Sequence, residues 1–176
     1  TDLEWRHPLC DAFIQAATDM GIPLNEDYNG VIQEGISYVQ RTSKGRLRHS
    51  AAKSFLNPAK SRKNLHIITH AHTTSVIIEK GRANGVAFSR GGRHGEERHV
   101  FASCEVILSA GVVGSPHLLE LSGIGDSTRL SELGIDVVHH LPGVGENLRD
   151  HYAPRFTGRA KNTSTINEMT RGSKLL

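Results

Sequence analysis

The residues best arranged for chemistry lie between Cys104 and Gly125, in C-E-V-I-L-S-A-G-V-V-G-S-P-H-L-L-E-L-S-G-I-G. Val106-Ile107-Leu108 reads as a buried strand that stops at Ser109-Ala110-Gly111. Those three side chains are small enough to let a ligand reach the backbone. Ser115-Pro116 then predicts a helix start, because serine caps free N–H groups and proline suits the first helical position. Leu118, Leu119 and Leu121 give the helix an apolar side, and Ser122-Gly123-Ile124-Gly125 breaks it. A parallel strand, a small-residue turn and a capped helix together make a seat for an anionic ligand.

Other groups offer weaker chemistry. His66, His70 and His72 share parity and suggest one face of one strand, hence a metal. No Asp, Glu or Cys joins them at ligand spacing, and a turn near His70 breaks the parity, so no metal site is assigned. The histidines of a short strand over 136–141, His139 and His140, are read in the same way. Glu34 has no acid–base partner nearby and reads as a turn or strand-end carboxylate. The loop Gly143-Val144-Gly145 leads to Asn147, Asp150 and His151, where Asn147 and Asp150 are expected to satisfy loop backbone groups. Two cysteines are too few for a disulfide framework, and Cys104 is expected to be a core thiol.

The elements that must position these groups follow from pattern. Leu9, Phe13, Ala16, Ala17 and Met20 fall at helical spacing over residues 8 to 20, with Pro8 at the start and Gly21 at the end. Asn29-Gly30 marks a turn, and alternation over residues 33–42 suggests a strand. Ser50 caps a helix over residues 51–56, which Asn57-Pro58 ends. From Asn64 the chain is rich in β-branched residues. Strands are predicted at 65–69, 73–79, 85–89 and 98–102, with turns at Lys80-Gly81, Ala83-Asn84-Gly85 and Arg90-Gly91-Gly92. Residues 161–176 read as a frayed polar tail.

Composition excludes several classes. With 176 residues, 37% hydrophobic and 22% charged, the chain can build a core and is not disordered. The net charge of +3 is small, and the densest basic run, Arg41 to Arg48, holds no aromatic residue for stacking bases. That run reads as a solvated rim, with a role near a phosphate as the minority reading; no nucleic-acid partner is expected. The first residues form no signal peptide, and no apolar run approaches the ~20 residues of a membrane span. A cytoplasmic or peripheral-membrane location is expected.

The fifteen residues Gly111 to Gly125 resemble the second signature of the glucose–methanol–choline (GMC) oxidoreductases, G-A-x-x-S-P-x-L-L-x-x-S-G-I-G, with Val112 departing from the small second residue. The resemblance continues through Leu133-Gly134-Ile135, Leu141-Pro142-Gly143-Val144-Gly145 and Asn147-Leu148-x-Asp150-His151. It also takes in Asp27-Tyr28-Asn29-Gly30 and Gly45 to Pro58, and covers residues 7 to 156. It implies an α/β fold, mixed α+β in character. This would be part of an FAD-binding Rossmann-like domain with a β-meander, together with a portion of the substrate-binding domain. Residues 1–63 would belong partly to the substrate-binding domain and 64–150 to the FAD domain. Residues 151–176 would begin a further substrate-domain segment or form a tail.

The resemblance further implies FAD contacts at Thr73 (a backbone contact to the adenine), Ser109, Ala110, Gly111 and Ser115, with His151 lining the cavity. The implied reaction is oxidation of a small-molecule alcohol by hydride transfer to flavin N5, with the electron acceptor open. Hydroxynitrile lyase chemistry on the same fold is the alternative, and a non-catalytic basic binding module ranks last. Choline is not the expected substrate, because Ala153 stands where choline oxidases carry a carboxylate two residues after the loop histidine. The G-x-G-x-x-G motif, the family's first signature and its catalytic His and Asn have no counterpart in these residues. The chain is therefore expected to be the middle of a longer protein, with no catalytic residue of its own.

Overall fold

A computed structural model describes residues 6–45, 47–92 and 95–169. The chain divides into two compact units, Thr1–Leu65 with Arg155–Leu176, and His66–Pro154. Strands and helices mix in the second unit.

In the first unit, α1 spans Pro8–Asp19, and the Leu9 N–H donates to Nδ1 of His7 at 3.2 Å. Proline opens the helix as expected. Its expected apolar stripe is not buried: Ala17 alone is, while Phe13 and Met20 face solvent. The turn at Asn29-Gly30 forms, with the Gly30 N–H donating to the Asp27 carbonyl. The strand expected over residues 33–42 does not. Only Ile36 pairs, in a single parallel bridge to Leu24, and Gln40 N–H goes to the Tyr28 hydroxyl. Alternation makes a strand only where a partner lies alongside.

Strands β1 (Ser43–Lys44) and β2 (Leu47–Arg48) form a short antiparallel pair. A π-helical turn over Ala52–Leu56 runs into α2, Asn57–Ala59. Pro58 was expected to stop this helix. It does not, because the widened turn closes on the Asn57 N–H, and the proline falls in the first turn of α2, where its missing donor costs nothing. The expected frayed tail contains a helical turn, α5 (Ile166–Met169). Glu168 there accepts from both the Thr165 N–H, at 2.7 Å, and the Thr165 hydroxyl. The rest of that tail, residues 170–176, lies outside the described residues.

The second unit is built on an antiparallel meander in the order β3 (Ala71–Glu79), β4 (Arg82–Arg90), β5 (Glu96–Phe101). Lys80 and Gly81 both take positive φ and join β3 to β4. A two-residue loop of that kind matches the twist of the flanking strands. Ala83-Asn84-Gly85 is not the expected turn. Ile77 pairs with Gly85 and Ile78 with Ala83, so Asn84 is the extra residue of a β-bulge inside β4. The strand expected over 65–69 does not form; β3 begins just after His70, which sits at φ 54°.

The remaining elements are α3 (Gly111–Leu121), β6 (Ile124–Gly125), α4 (Ser127–Glu132) and β7 (His139–His140). Strands β6 and β7 pair in parallel, and of the short strand expected over 136–141 only His139-His140 forms. Leu118, Leu130, Val76, Ala87 and Phe88 are buried. Ser122 ties helix to sheet: its hydroxyl accepts from the Val76 N–H at 2.8 Å and donates to the Leu118 carbonyl at 2.6 Å. Gly123, at φ +81°, passes so close to the Asp136 carbonyl that a Cβ would collide with it.

Two expectations fail around residue 106. Val106–Leu108 belongs to no sheet, so Ser109, Ala110 and Gly111 do not end a paired parallel strand. A strand needs neighbours for its N–H and C=O groups, and among the described residues none runs beside it. The run still places its side chains as a strand would. Val106 and Leu108 line an apolar cavity of about 370 Å³ with Val76, Leu119 and Ile124, while Ile107 is exposed. Cys104 is exposed rather than a core thiol, because it precedes the inward-facing positions.

Candidate functional site

Helix α3 begins at Gly111, five residues before Pro116, the expected first helical position. Gly111 takes φ +84°, a conformation that favours glycine, and nothing lies within 4 Å of where its Cβ would be. Ala110 occupies the capping position and has no side chain to offer. Ser115 is therefore not the N-cap. It sits in the second turn and its hydroxyl accepts from the Ala110 N–H at 3.0 Å. Pro116 is interior to the helix rather than at its first position. The serine thus serves the helix start from inside.

The first turn of α3 is left open. Its N–H groups have no helical acceptors, no side chain caps it, and no acidic residue lies in it. The neighbouring α4 contrasts with it. There the Asp126 carboxylate accepts from the Arg129 N–H at 3.0 Å, and His140 Nδ1 accepts from the Ser127 N–H at 3.1 Å.

A groove of about 760 Å³ runs between α3 and the loop 143–149, lined by Val112, Val113, Ser115 and Pro116 on one side and Gly145 and Asn147 on the other. The two motifs picked out from the sequence, Gly111–Gly125 and the glycine loop, therefore meet. Asn147 takes φ 58°, which asparagine tolerates better than most residues. Asp150 Oδ1 accepts from the His151 N–H at 2.7 Å. His151 is exposed and does not line the groove; nor do Ser109, Ala110 and Gly111, which are exposed at and before the start of α3.

Thr73 lies on β3, half-buried and paired with Phe88. The register slips between Thr73 and Ser75, so Thr74 is bulged, and its hydroxyl is buried without a partner among the described residues. A bulge frees backbone groups from the ladder beside it. His66 lies outside β3 and His70 has positive φ, so His66, His70 and His72 do not share one strand face.

Sequence reasoning missed the ion cluster in the groove wall. Glu120 on α3 lies 3.3 Å from Arg129 on α4, and Arg129 lies 3.9 Å from Glu146 on the loop. The Glu120 side chain is only 16% exposed. Its signal was available: Glu120 is the lone carboxylate between Leu119 and Leu121, and a carboxylate in an apolar stripe calls for a cation. In the first unit, the Tyr38 hydroxyl lies 2.8 Å from Asp11 Oδ1. Partial removal from water, and then the bond donated to Asp11, hold that phenol above its ordinary range. Among the described residues no helix is long and apolar enough to cross a membrane.

Known proteins resemble this chain in sequence and fold. A family model described as GMC oxidoreductase matches residues 1–153. An alcohol dehydrogenase [acceptor] of Pseudomonas putida is 44% identical over 151 residues, 86% of this chain and 27% of that protein. Human mitochondrial choline dehydrogenase is 47% identical over 145 residues, 82% of this chain and 24% of that protein. Among solved structures, an FAD-dependent oxidoreductase from Chaetomium thermophilum superposes with a TM-score of 0.75 at 32% identity, covering 83% of this chain and 25% of that one. Pyridoxine 4-oxidase from Mesorbium loti gives 0.71 at 29% identity, over 80% and 27% of the two chains. The chain spans about a quarter of the length of the curated relatives it matches.

Proposed function

The chain belongs to the GMC oxidoreductase family, and on that premise we propose that it forms part of the FAD site of an enzyme that oxidises the CH–OH group of an alcohol. The observation that carries this reading is the open first turn of α3, uncapped and free of acidic side chains, within the Gly111–Gly125 signature. Free N–H groups at a helix N-terminus favour an anionic neighbour. The residues present fit FAD. Gly111 has open space where a side chain would be, and the bulge at Thr74 offers backbone and a buried hydroxyl next to Thr73.

FAD, when bound, supplies the hydride acceptor. The chain's own residues position and shield. Thr73 offers backbone to the adenine, Ser109, Ala110 and Gly111 let main chain come close, and Ser115 holds the Ala110 N–H. Val112 and Val113 present apolar surface that excludes water from the reacting centre. His151, exposed just after the glycine loop, is left to a cavity wall that other parts of the enzyme complete. Residues 1–63 contribute partly to the substrate-binding domain, 64–150 to the FAD domain, and 151–176 begin the next substrate-domain segment or a tail.

The substrate is a neutral alcohol rather than choline. A quaternary ammonium needs a carboxylate or an aromatic cage in exchange for its hydration. Ala153 offers no charge, and Tyr152 is a single ring. The test is to purify the protein that carries this chain, record its flavin spectrum and add a primary alcohol without oxygen. Bleaching of the flavin is expected. Bound flavin that no alcohol bleaches points to lyase chemistry and sinks the oxidoreductase reading; a preparation without flavin sinks the FAD site.

A further inference from the structure

The net charge of +3 is unevenly held. The 23 residues Arg41 to Lys63 contain eight of the chain's Lys and Arg and none of its Asp and Glu. The rest of the chain carries thirteen basic residues against eighteen acidic ones, so a segment of +8 stands against a remainder of −5.

The first unit displays this segment on its surface. Lys44 lies on β1, Arg48 on β2, Lys53 in the π-helical turn, and Lys60, Arg62 and Lys63 follow α2. All six are exposed, and none forms an ion pair or a side-chain hydrogen bond among the described residues. Arg98 and Arg129 of the second unit, in contrast, are paired with carboxylates. Helical residues rise about 1.5 Å each, so Lys53 to Lys60 spans roughly 10 Å. That is about one Debye length at 0.1 M salt, so neighbouring charges add rather than being screened apart. Like charges packed this closely repel and destabilise the fold. Among the described residues no carboxylate pairs with any of these six.

Two apolar side chains stand among the cations. Leu47 lies between Arg46 and Arg48, and Phe55 lies two residues after Lys53; both are well exposed. Cations beside exposed apolar groups match a lipid headgroup region, where the charges meet phosphates and the apolar tips enter the acyl boundary. A nucleic acid fits less well, since base stacking wants several aromatic rings and Phe55 is the only one between Arg41 and Lys63. We propose that residues 41–63 dock the protein on an anionic phospholipid surface. The proposal stands apart from the flavin chemistry.

Flotation of the 176-residue chain with lipid vesicles tests it, because aggregates sink and only lipid-bound protein rises. Vesicles of phosphatidylcholine containing phosphatidylserine should carry the chain upward, pure phosphatidylcholine should not, and about 1 M salt should release it. Each cation near such a surface is worth roughly five-fold in affinity. The triple variant Lys53→Gln, Lys60→Gln, Lys63→Gln should therefore bind about 100-fold more weakly. These side chains are exposed and unpaired, so circular dichroism should be unchanged. Lys80→Gln with Arg90→Gln, in the second unit, should bind as the parent does. Equal flotation with neutral vesicles, insensitivity to the triple variant, or capture by duplex DNA with vesicles ignored would each overturn the proposal.

Discussion

Glu120 Oε1 lies 3.3 Å from Arg129 Nη1, and the same oxygen lies 3.3 Å from where a Cβ on Gly145 would stand. One carboxylate therefore joins α3, α4 and the glycine loop. A Cβ at Gly145 would crowd it.

Arg129→Met should lower the stability of the second unit by about 1 kcal/mol. A fully exposed pair contributes close to nothing and a buried one several-fold more. This pair lies between, with Glu120 16% and Arg129 53% exposed. Urea denaturation measures the loss. In a Glu120→Gln background the same substitution should cost much less, and an equal cost in both backgrounds would show that the pair does not couple.

Ser122→Ala should cost about 1–3 kcal/mol, because it leaves the buried Val76 N–H without an acceptor. The exposed Ser103 serves as the control, and Ser103→Ala should be neutral. Thermal melts followed by circular dichroism compare the two. Equal melting temperatures for both variants would remove Ser122 from its place as the tie between α3 and β3.

Tyr38 should make stability depend on pH only in alkali. Its folded pKa is raised above the ordinary 10.0, so the folded state holds the phenolic proton more tightly than the unfolded chain. That stabilisation is fully present below pH 10 and is lost as pH rises through the folded value. Absorbance of the ionised phenol should show a high-pH component that Tyr38→Phe removes. Persistence of that component in Tyr38→Phe would reassign it to another tyrosine.

The 176 residues by themselves should retain far less than one FAD per chain after gel filtration. Affinity for such a dinucleotide comes largely from pyrophosphate resting on glycine-rich backbone at a helix start. These residues hold no G-x-G-x-x-G. Their offers to FAD are the backbone beside Thr73 and the turn Ser109 to Gly111. Stoichiometric flavin on the isolated chain would show that those contacts suffice.

Local chemistry made much of this protein legible in its sequence. Lys80-Gly81 reads as a tight turn because Gly81 accepts the positive φ that a two-residue hairpin loop needs. The β-branched runs around it became β3 and β4 for the same kind of local reason. The glycine loop before Asn147 and the apolar side of α3 were equally plain, and together they placed the groove.

Tertiary contacts decided the rest. Asn84-Gly85 looked like a turn and became a bulge, because the pairing of β4 with β3 and β5 outweighs the preference of two residues. Ser115-Pro116 looked like a helix start, yet α3 begins at Gly111, whose open positive φ allows an earlier entry. Val106–Leu108 reads as a strand in any sequence, but a strand is a relation between two segments, and no single segment specifies its partner. Ser122, Glu120 and Arg129 carry no local pattern that names what they touch. Their partners stand 46, 9 and 17 residues away, at Val76, Arg129 and Glu146, and only folding brings them within hydrogen-bonding or ion-pairing reach.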